Sequence, residues 1–405
     1  MMKYIQIGSK QFFKASIALF FGGFVTFSIL YTTQPLLPIF SNEFSVSPSI
    51  TSLSVSLSTG FLSIMMLFAA SLSDRFGKKQ IMNISMFFTS AISIIIAFVP
   101  NFESLLIFRA ILGITAAGIP SLAMAYVAEE FHPNTIGTAM GIYISGTTIG
   151  GLAGRISAGI LTDLFTWRIA LFIIGMIALI LSVGFSLLMP KPKRVVKTSI
   201  NFKTAFQTYQ VHLSNKPLMA LIILGFLFMG GFVTLFNYIG FLFVSPPYSY
   251  RQSVIGLIFL VYLFGSFSSV YMGKKASIYG YAKVLTVNVL ITMTGAILTL
   301  FSSIWLIIIG LSIFTFGFFA CHSVTSSWIG EFSKVYKAQS SSLYLLFYYL
   351  GSSIAGTLGG ILWSNFGWIG VTLFVQVLFI ISLPFILYSQ RSFMQKARTN
   401  SGFKS

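Results

Sequence analysis

The chain is 405 residues long, 56% hydrophobic and only 8% charged, where a soluble domain carries about 25% charged residues. These proportions exclude a cytosolic enzyme, a disordered chain and a nucleic-acid-binding domain. The net charge of +18 sits in short clusters between apolar runs rather than on one polar face, and a single cysteine, Cys321, leaves no disulfide framework and no Cys-rich metal site.

A helix of roughly 20 apolar residues crosses the hydrocarbon core of a bilayer. Unpaired backbone groups are expensive there, which restricts spanning structures to helices and closed barrels. The apolar runs are long and continuous rather than alternating over about ten residues, which excludes a β-barrel. Twelve segments fit, over 16–37, 50–72, 82–100, 104–127, 135–161, 168–189, 217–238, 253–272, 284–302, 304–327, 339–362 and 367–388. The first runs too long, into Gln34 and Pro35, to read as a cleaved signal peptide. The expected fold is all-α, with twelve transmembrane helices in two pseudo-symmetric six-helix bundles.

With the N-terminus in the cytoplasm, 21 of the 25 Lys and Arg fall in cytoplasmic segments. This positive-inside pattern puts both termini on the cytoplasmic side of a plasma membrane. The excess of positive charge is therefore mainly a topology signal, with some attraction to anionic lipid. The largest polar connection, 191–216, opens with Lys191, Pro192, Lys193 and Arg194 and separates six spans from six. It divides an N-terminal bundle, 1–190, from a C-terminal one, 217–405. Its stretch from Phe202 to Tyr209 suits a short interfacial helix.

The halves repeat. Leu72 to Lys78 follows span 2, and Lys275 to Tyr281 follows span 8. Tyr143, Gly146 and Gly151 in span 5 recur as Tyr348, Gly351 and Gly356 in span 11, and Phe165 and Trp167 recur as Phe366 and Trp368. Parallel half repeats are a transporter design.

Several residues inside spans need a reason. Gly146, Gly150 and Gly154 lie on one helix face, and Gly351, Ala355 and Gly359 repeat the spacing. They serve either tight helix packing alone or an interface that seals or slides. Arg109 and Arg155 are cations within spans, and each must find a partner or reach water. Arg109 either snorkels or joins a cavity; Arg155, set among glycines, favours a cavity or interdomain role. Asp163 is a candidate partner for either arginine, or simply a helix-end residue. Tyr31 to Gln34, Asn237 and Tyr238, and Thr315, Cys321, His322 and Ser323 are polar groups expected to line a central cavity around a small-molecule substrate. His322 is the one histidine well inside a span, either a proton-coupling group or a hydrogen-bonded structural one. The chain holds no HExxH, G-x-S-x-G or phosphate-loop motif and no paired carboxylates, so no catalytic centre, cofactor or metal is expected.

The stretch Asp74-Arg75-Phe76-Gly77-Lys78-Lys79, after the second of twelve spans, resembles the signature loop of the major facilitator superfamily, with Ala70 where the family pattern has Gly. Its second-half copy keeps Gly273 but has Ser277 at the Asp position. Phe108 to Gly113 resembles the family's span-4 motif, with Arg109 as its arginine. Gly146 to Gly154 is similar to the span-5 antiporter motif, with Gly151 at its Pro and Arg155 at its second Gly. Tyr31 to Pro38, with Tyr143 to Gly146 and Gly154-Arg155, resembles the bacterial YnfM-type branch of the twelve-span drug:H+ antiporter group. The resemblance implies alternating access by a functional monomer in a bacterial inner membrane, driven by a proton gradient. It also implies a latch in which Asp74, with Arg75, Gly77 and Lys78, meets the start of span 11 near Gln339 and Ser340. Efflux of drug-like or amphipathic compounds is the expected activity. Sugar efflux or nutrient uptake is the alternative, and a channel or a structural membrane protein fits less well.

Overall fold

The computed structural model describes residues 4–192, 209–333 and 337–401, apart from a few side chains within helices, that of Asp74 among them. The chain is helical: α1 (Lys10–Tyr31), α2 (Leu37–Glu43), α3 (Pro48–Phe76), α4 (Lys78–Ile96), α5 (Phe102–Ala116), α6 (Gly118–Glu130), α7 (Pro133–Leu164), α8 (Trp167–Leu188), α9 (Lys216–Val244), α10 (Gln252–Ile258), α11 (Tyr262–Tyr279), α12 (Tyr281–Leu298), α13 (Ile304–Phe332) and α14 (Lys337–Ser401). Among the described residues the one β-type pairing is a bridge between Ile5 and Phe131.

Local sequence sets the helix ends. Ser9 Oγ accepts from the Phe12 amide at 3.0 Å, Asn101 Oδ1 from Ser104 at 2.9 Å and Thr166 Oγ1 from Ile169 at 3.3 Å, each satisfying an amide that the first turn leaves open. α1 stops at Tyr31, short of the predicted 37, because Pro35 has no amide to donate and disfavours helix at the residue before it. The predicted span 104–127 is two helices, α5 and α6, that meet at Ala117. The predicted span 253–272 starts as α10, passes through a 3-10 turn at Phe259–Val261 and continues as α11.

Burial is inverted relative to a soluble protein. Serines and threonines along α3, including Thr51, Ser52, Ser54, Ser58 and Thr59, are buried, while Ile107, Ile180, Leu187, Phe264 and Val270 face outward. An apolar solvent selects this arrangement. Among the described residues, ten stretches are long and apolar enough to cross a membrane. The predicted span 135–161 lies on α7, whose glycines, threonines and Arg155 keep it out of those ten. The predicted spans 339–362 and 367–388 share one stretch, Gln339–Phe393, broken at Gly367, where φ is 60°.

The described residues form two compact units. Unit 1 draws on 1–46, 50–200 and 240–259, and unit 2 on 47–49, 201–239 and 260–405. In unit 1, α7 packs most extensively on α1. A Cβ at Gly146, Gly150 or Gly154 would strike the backbone of Phe20, Phe24 or Ser28 respectively. In unit 2 a Cβ at Gly351 would strike the Phe226 backbone, and Gly230 of α9 faces the Ala355 side chain. The glycine stripe is thus a close-packing surface in both units. A second feature recurs. α3 joins α4 through Gly77 (φ 87°, ψ 140°), and α11 joins α12 through Gly280 (φ 88°, ψ 143°). Open space surrounds both glycines, so the left-handed backbone rather than crowding requires Gly there.

Candidate substrate site

In unit 1 three predicted site residues come together. α7 holds Arg155 where its side chain crosses to the turn after α1. Arg155 Nε donates to Gln34 Oε1 at 2.7 Å, and Nη1 donates to the Gly151 carbonyl at 2.6 Å. The guanidinium lies 4.2 Å from the Tyr31 ring centroid and 5.0 Å from that of Phe259. Tyr31, Gln34 and Arg155 are all buried. Aromatic faces and amide oxygens suit a buried cation, because the ring quadrupole and the carbonyl dipoles replace part of its hydration.

Next to this cluster the end of α7 meets α10. Gly159 and Gly256 approach closely, and the Asp163 carboxylate accepts from the backbone amides of Gln252 (3.1 Å) and Ser253 (2.8 Å). Asp163 therefore does not pair with Arg109 or Arg155. Both its oxygens cap the start of α10, where unsatisfied amides and the helix dipole favour an anion.

Arg109 neither snorkels nor joins Arg155. Its side chain is 1% exposed, and it donates to the backbone carbonyls of Ser54 in α3 and of Ile29 and Leu30 in the last turn of α1. Those last-turn carbonyls lie at the negative end of the helix dipole, and that of Ile29 also accepts from the Thr32 amide and hydroxyl. Ser58 Oγ donates to the Arg109 carbonyl at 2.8 Å, and a Cβ at Gly113 would strike the Ser58 backbone. The Phe108 to Gly113 motif thus ties α5 to α3 and α1.

In the signature loop, Lys78 pairs with Glu129 of α6 at 2.8 Å, and Lys79 Nζ donates to the Met189 carbonyl at the end of α8. Arg75 is exposed, with its guanidinium 5.3 Å from the Phe76 ring. The predicted contact of Asp74 with Gln339 and Ser340 involves a side chain outside the described residues, and the 202–208 part of the predicted interfacial helix also lies outside them.

Unit 2 holds Asn237, fully buried in α9, and His322, half-buried in α13. His322 Nδ1 shares a hydrogen bond with Tyr344 Oη at 2.8 Å, and its ring lies 4.6 Å from that of Tyr348. Phe259, Glu129, Gln252, Ser253 and Tyr344 were not singled out in the sequence. Only Tyr344 carried a usable signal, four residues before Tyr348 on one helix face. Two surface grooves, of about 430 and 410 Å³, are mainly apolar and include no predicted site residue.

A family model described as Major Facilitator Superfamily matches residues 19–251. The chain belongs to the major facilitator superfamily. It is 42% identical over 399 residues to the uncharacterized MFS-type transporter YybF of Bacillus subtilis, covering 98% of this chain and 99% of that one. It is 43% identical over 381 residues to the inner membrane transport protein YnfM of Escherichia coli, covering 94% and 91%. In fold it is similar to a bacterial homolog of the human lysosomal transporter Spinster in an inward-facing, unoccupied conformation (TM-score 0.77, 15% identity, 96% and 98% covered). It is likewise similar to the nucleoside transporter NupG (TM-score 0.73, 16% identity, 94% and 99% covered). As a superfamily member related to the YnfM and YybF branch, the protein is a multi-pass secondary transporter that moves small solutes by alternating access. It is not an enzyme. Among the described residues no group of three His, Cys, Asp or Glu side chains is placed to hold a metal.

Proposed function

We propose that the protein exports amphipathic, drug-like compounds across a bacterial inner membrane, exchanging them for protons and working as a monomer. It crosses the bilayer twelve times, if α7 counts beside the ten apolar stretches and the longest of these divides at Gly367. Six crossings form residues 1–190 and six form 217–405, joined by a cytoplasmic linker over 191–216. Both termini are cytoplasmic, as the Lys and Arg distribution favours. The similarity to the inner membrane transport protein YnfM supports the inner-membrane location.

One observation carries the alternating-access detail. Residues 240–259 belong by sequence to the second half repeat, yet they pack on α7 through a glycine crossing and a single carboxylate cap. A contact that ties a segment of the second half repeat to α7 suits a seal that forms and breaks in each cycle. In this reading the seal lies beside the Arg155 cluster and closes it off from the outside. When α10 swings away, Phe259 leaves the guanidinium and Arg155 meets the outside.

Proton coupling rests on the resemblance to drug:H+ antiporters. It rests also on His322, the one histidine well inside a span, a side chain that ordinarily titrates near neutrality. Export of sugars is the second reading. Gln34 favours it, as do the Thr33 and Ser54 hydroxyls, which are buried without a hydrogen-bond partner among the described residues. Proteoliposomes with an imposed pH gradient test both readings across a panel of amphipathic compounds and pentoses. The proposal expects gradient-driven flux of amphipathic compounds that falls sharply in His322→Ala. Flux indifferent to the gradient, with His322→Ala fully active, contradicts proton exchange; flux of pentoses alone contradicts the drug-like substrate.

A further inference from the structure

The wall around His322 is built as a ladder of rings. α13 places Phe314, Phe318 and His322 at every fourth position and so on one face. Phe232 of α9 stacks on Phe318 with centroids 3.8 Å apart and an interplanar angle of 13°. Tyr348 of α14 lies 6.4 Å from Phe318 and inclined 26° to it, and 4.6 Å from His322. Tyr344 also stacks on His322, at 5.6 Å and 19°, and lies 6.0 Å from Tyr348, so the three rings form one cluster. The rungs Phe232, Phe318 and Tyr344 are buried, whereas Tyr348 and His322 are half-buried, so the ladder ends in two accessible rings.

His322 Nδ1 is committed to Tyr344 Oη. Among the described residues Nε2 has no hydrogen-bond partner, and it is not sealed from solvent. Either tautomer leaves it a competent partner, as an acceptor when Nδ1 carries the proton and as a donor when it does not. Apart from His322, the stretches of α9, α13 and α14 around the ladder hold no acidic or basic residue. Lys337 opens α14 about two turns before Tyr344, and Glu331, Lys216 and Arg391 lie farther along their helices. A charged ligand would find no counter-ion on these stretches and would lose hydration.

We propose that Tyr348 and His322 form a stacking subsite for a flat, uncharged aromatic ring whose hydroxyl or amino group hydrogen-bonds to His322 Nε2. This assignment rests on the transport reading above and names the chemical class of its solute. Phe232 and Phe318 support the platform from behind and hold its two outer rings in place.

The test uses the purified full chain in lipid nanodiscs at about pH 6, where the probe 7-hydroxycoumarin is neutral. A saturated bicyclic alcohol of similar size, 2-decalol, and xylose serve as competitors. Fluorescence titration should show saturable coumarin binding that 2-decalol and xylose do not displace. Tyr348→Leu should weaken it about fivefold to tenfold, while Tyr348→Phe keeps it within about twofold, as an aromatic pair requires. His322→Phe, which keeps a ring but removes Nε2, should weaken it about threefold to tenfold, the range of one net hydrogen bond. Each variant is first checked for monodispersity and helical content. No saturable binding, equal displacement by 2-decalol, or unchanged affinity in Tyr348→Leu overturns the subsite. Gradient-driven flux of another solute by the same protein in proteoliposomes would then leave the transport reading standing. Coumarin binding with no flux of any solute would do the reverse.

Discussion

The α1–α7 crossing of unit 1 and the α9–α14 crossing of unit 2 solve one packing problem with different chemistry. Gly146, Gly150 and Gly154 in one correspond to Gly351, Ala355 and Gly359 in the other, and both stripes let two helix backbones touch. The carbonyls of Gly151 and Gly356 hold equivalent places beside these stripes. Gly151 receives Arg155 Nη1 at 2.6 Å, from its own helix, and Gly356 receives Tyr238 Oη at 2.7 Å, from the helix across. The position after the third small residue is Arg155 in unit 1 and Gly360 in unit 2, where the Tyr238 hydroxyl sits close by. One half repeat therefore carries a buried permanent charge where the other carries a neutral phenol. Shared architecture set the small residues, and the divergence lies at the positions that polar groups occupy.

The sharpest way to break this comparison is to fill the stripes. Gly150→Leu and Gly351→Leu each drive a side chain into a neighbouring backbone, where no rotamer change relieves the clash. Both variants should lose most of their monodisperse protein on size-exclusion chromatography. Gly137→Ala, with open space around it, should behave like the parent. If Gly150→Leu is well folded, the α1–α7 contact is not the close crossing described.

Arg155 comes next. Arg155→Met removes the donor to both Gln34 and Gly151 while keeping much of the apolar stem, and transport should fall at least about tenfold, with a smaller loss of thermal stability. Arg155→Lys should not restore it, because an ammonium cannot reproduce a planar fork lying against two rings. Near-normal flux in Arg155→Met would make the charge structural rather than functional.

Asp163→Asn keeps an acceptor at the start of α10 but removes the charge, a change of about 0.3–1 kcal/mol at a helix N-terminus. The population with this contact open should rise by about twofold to fivefold, read as faster thiol labelling of a Ser253→Cys probe in Cys321→Ala protein. Unchanged labelling would remove Asp163 from the seal. The smallest effect belongs to the neutral half. Tyr238→Phe deletes the hydroxyl donor to Gly356 and should lower stability by about 0.6 kcal/mol, the average for a hydrogen bond between membrane helices. A loss as large as that in Arg155→Met would erase the asymmetry between the units.

Much of this was legible in the sequence because the membrane imposes simple rules. Continuous apolar runs gave the helices, and repeated glycines gave the close crossings. The match between Gly77 and Gly280 marked two turns that proved nearly identical in backbone conformation. What escaped was the choice of partner across helices. Arg109 looked in need of a carboxylate or water, yet backbone carbonyls of α1 and α3 hold it, and carbonyls leave no mark in side-chain chemistry. Asp163 looked like a partner for an arginine and instead caps a helix nearly 90 residues away. The grouping of Tyr31, Gln34 and Arg155 was foreseeable as three polar residues in apolar helices. Phe259 was not, since one phenylalanine among 44 carries no signal of its own.

The account turns on whether the α7–α10 contact opens and closes. Spin labels at Leu164 and Arg251, both exposed at that contact, in Cys321→Ala protein reconstituted in liposomes, allow double electron–electron resonance to read the separation directly. Alternating access through this seal predicts two distance populations, one matching the closed contact and one longer, with a ratio that moves when a pH gradient is imposed and when Asp163 becomes Asn. A single short distance, unchanged by either treatment, would contradict it.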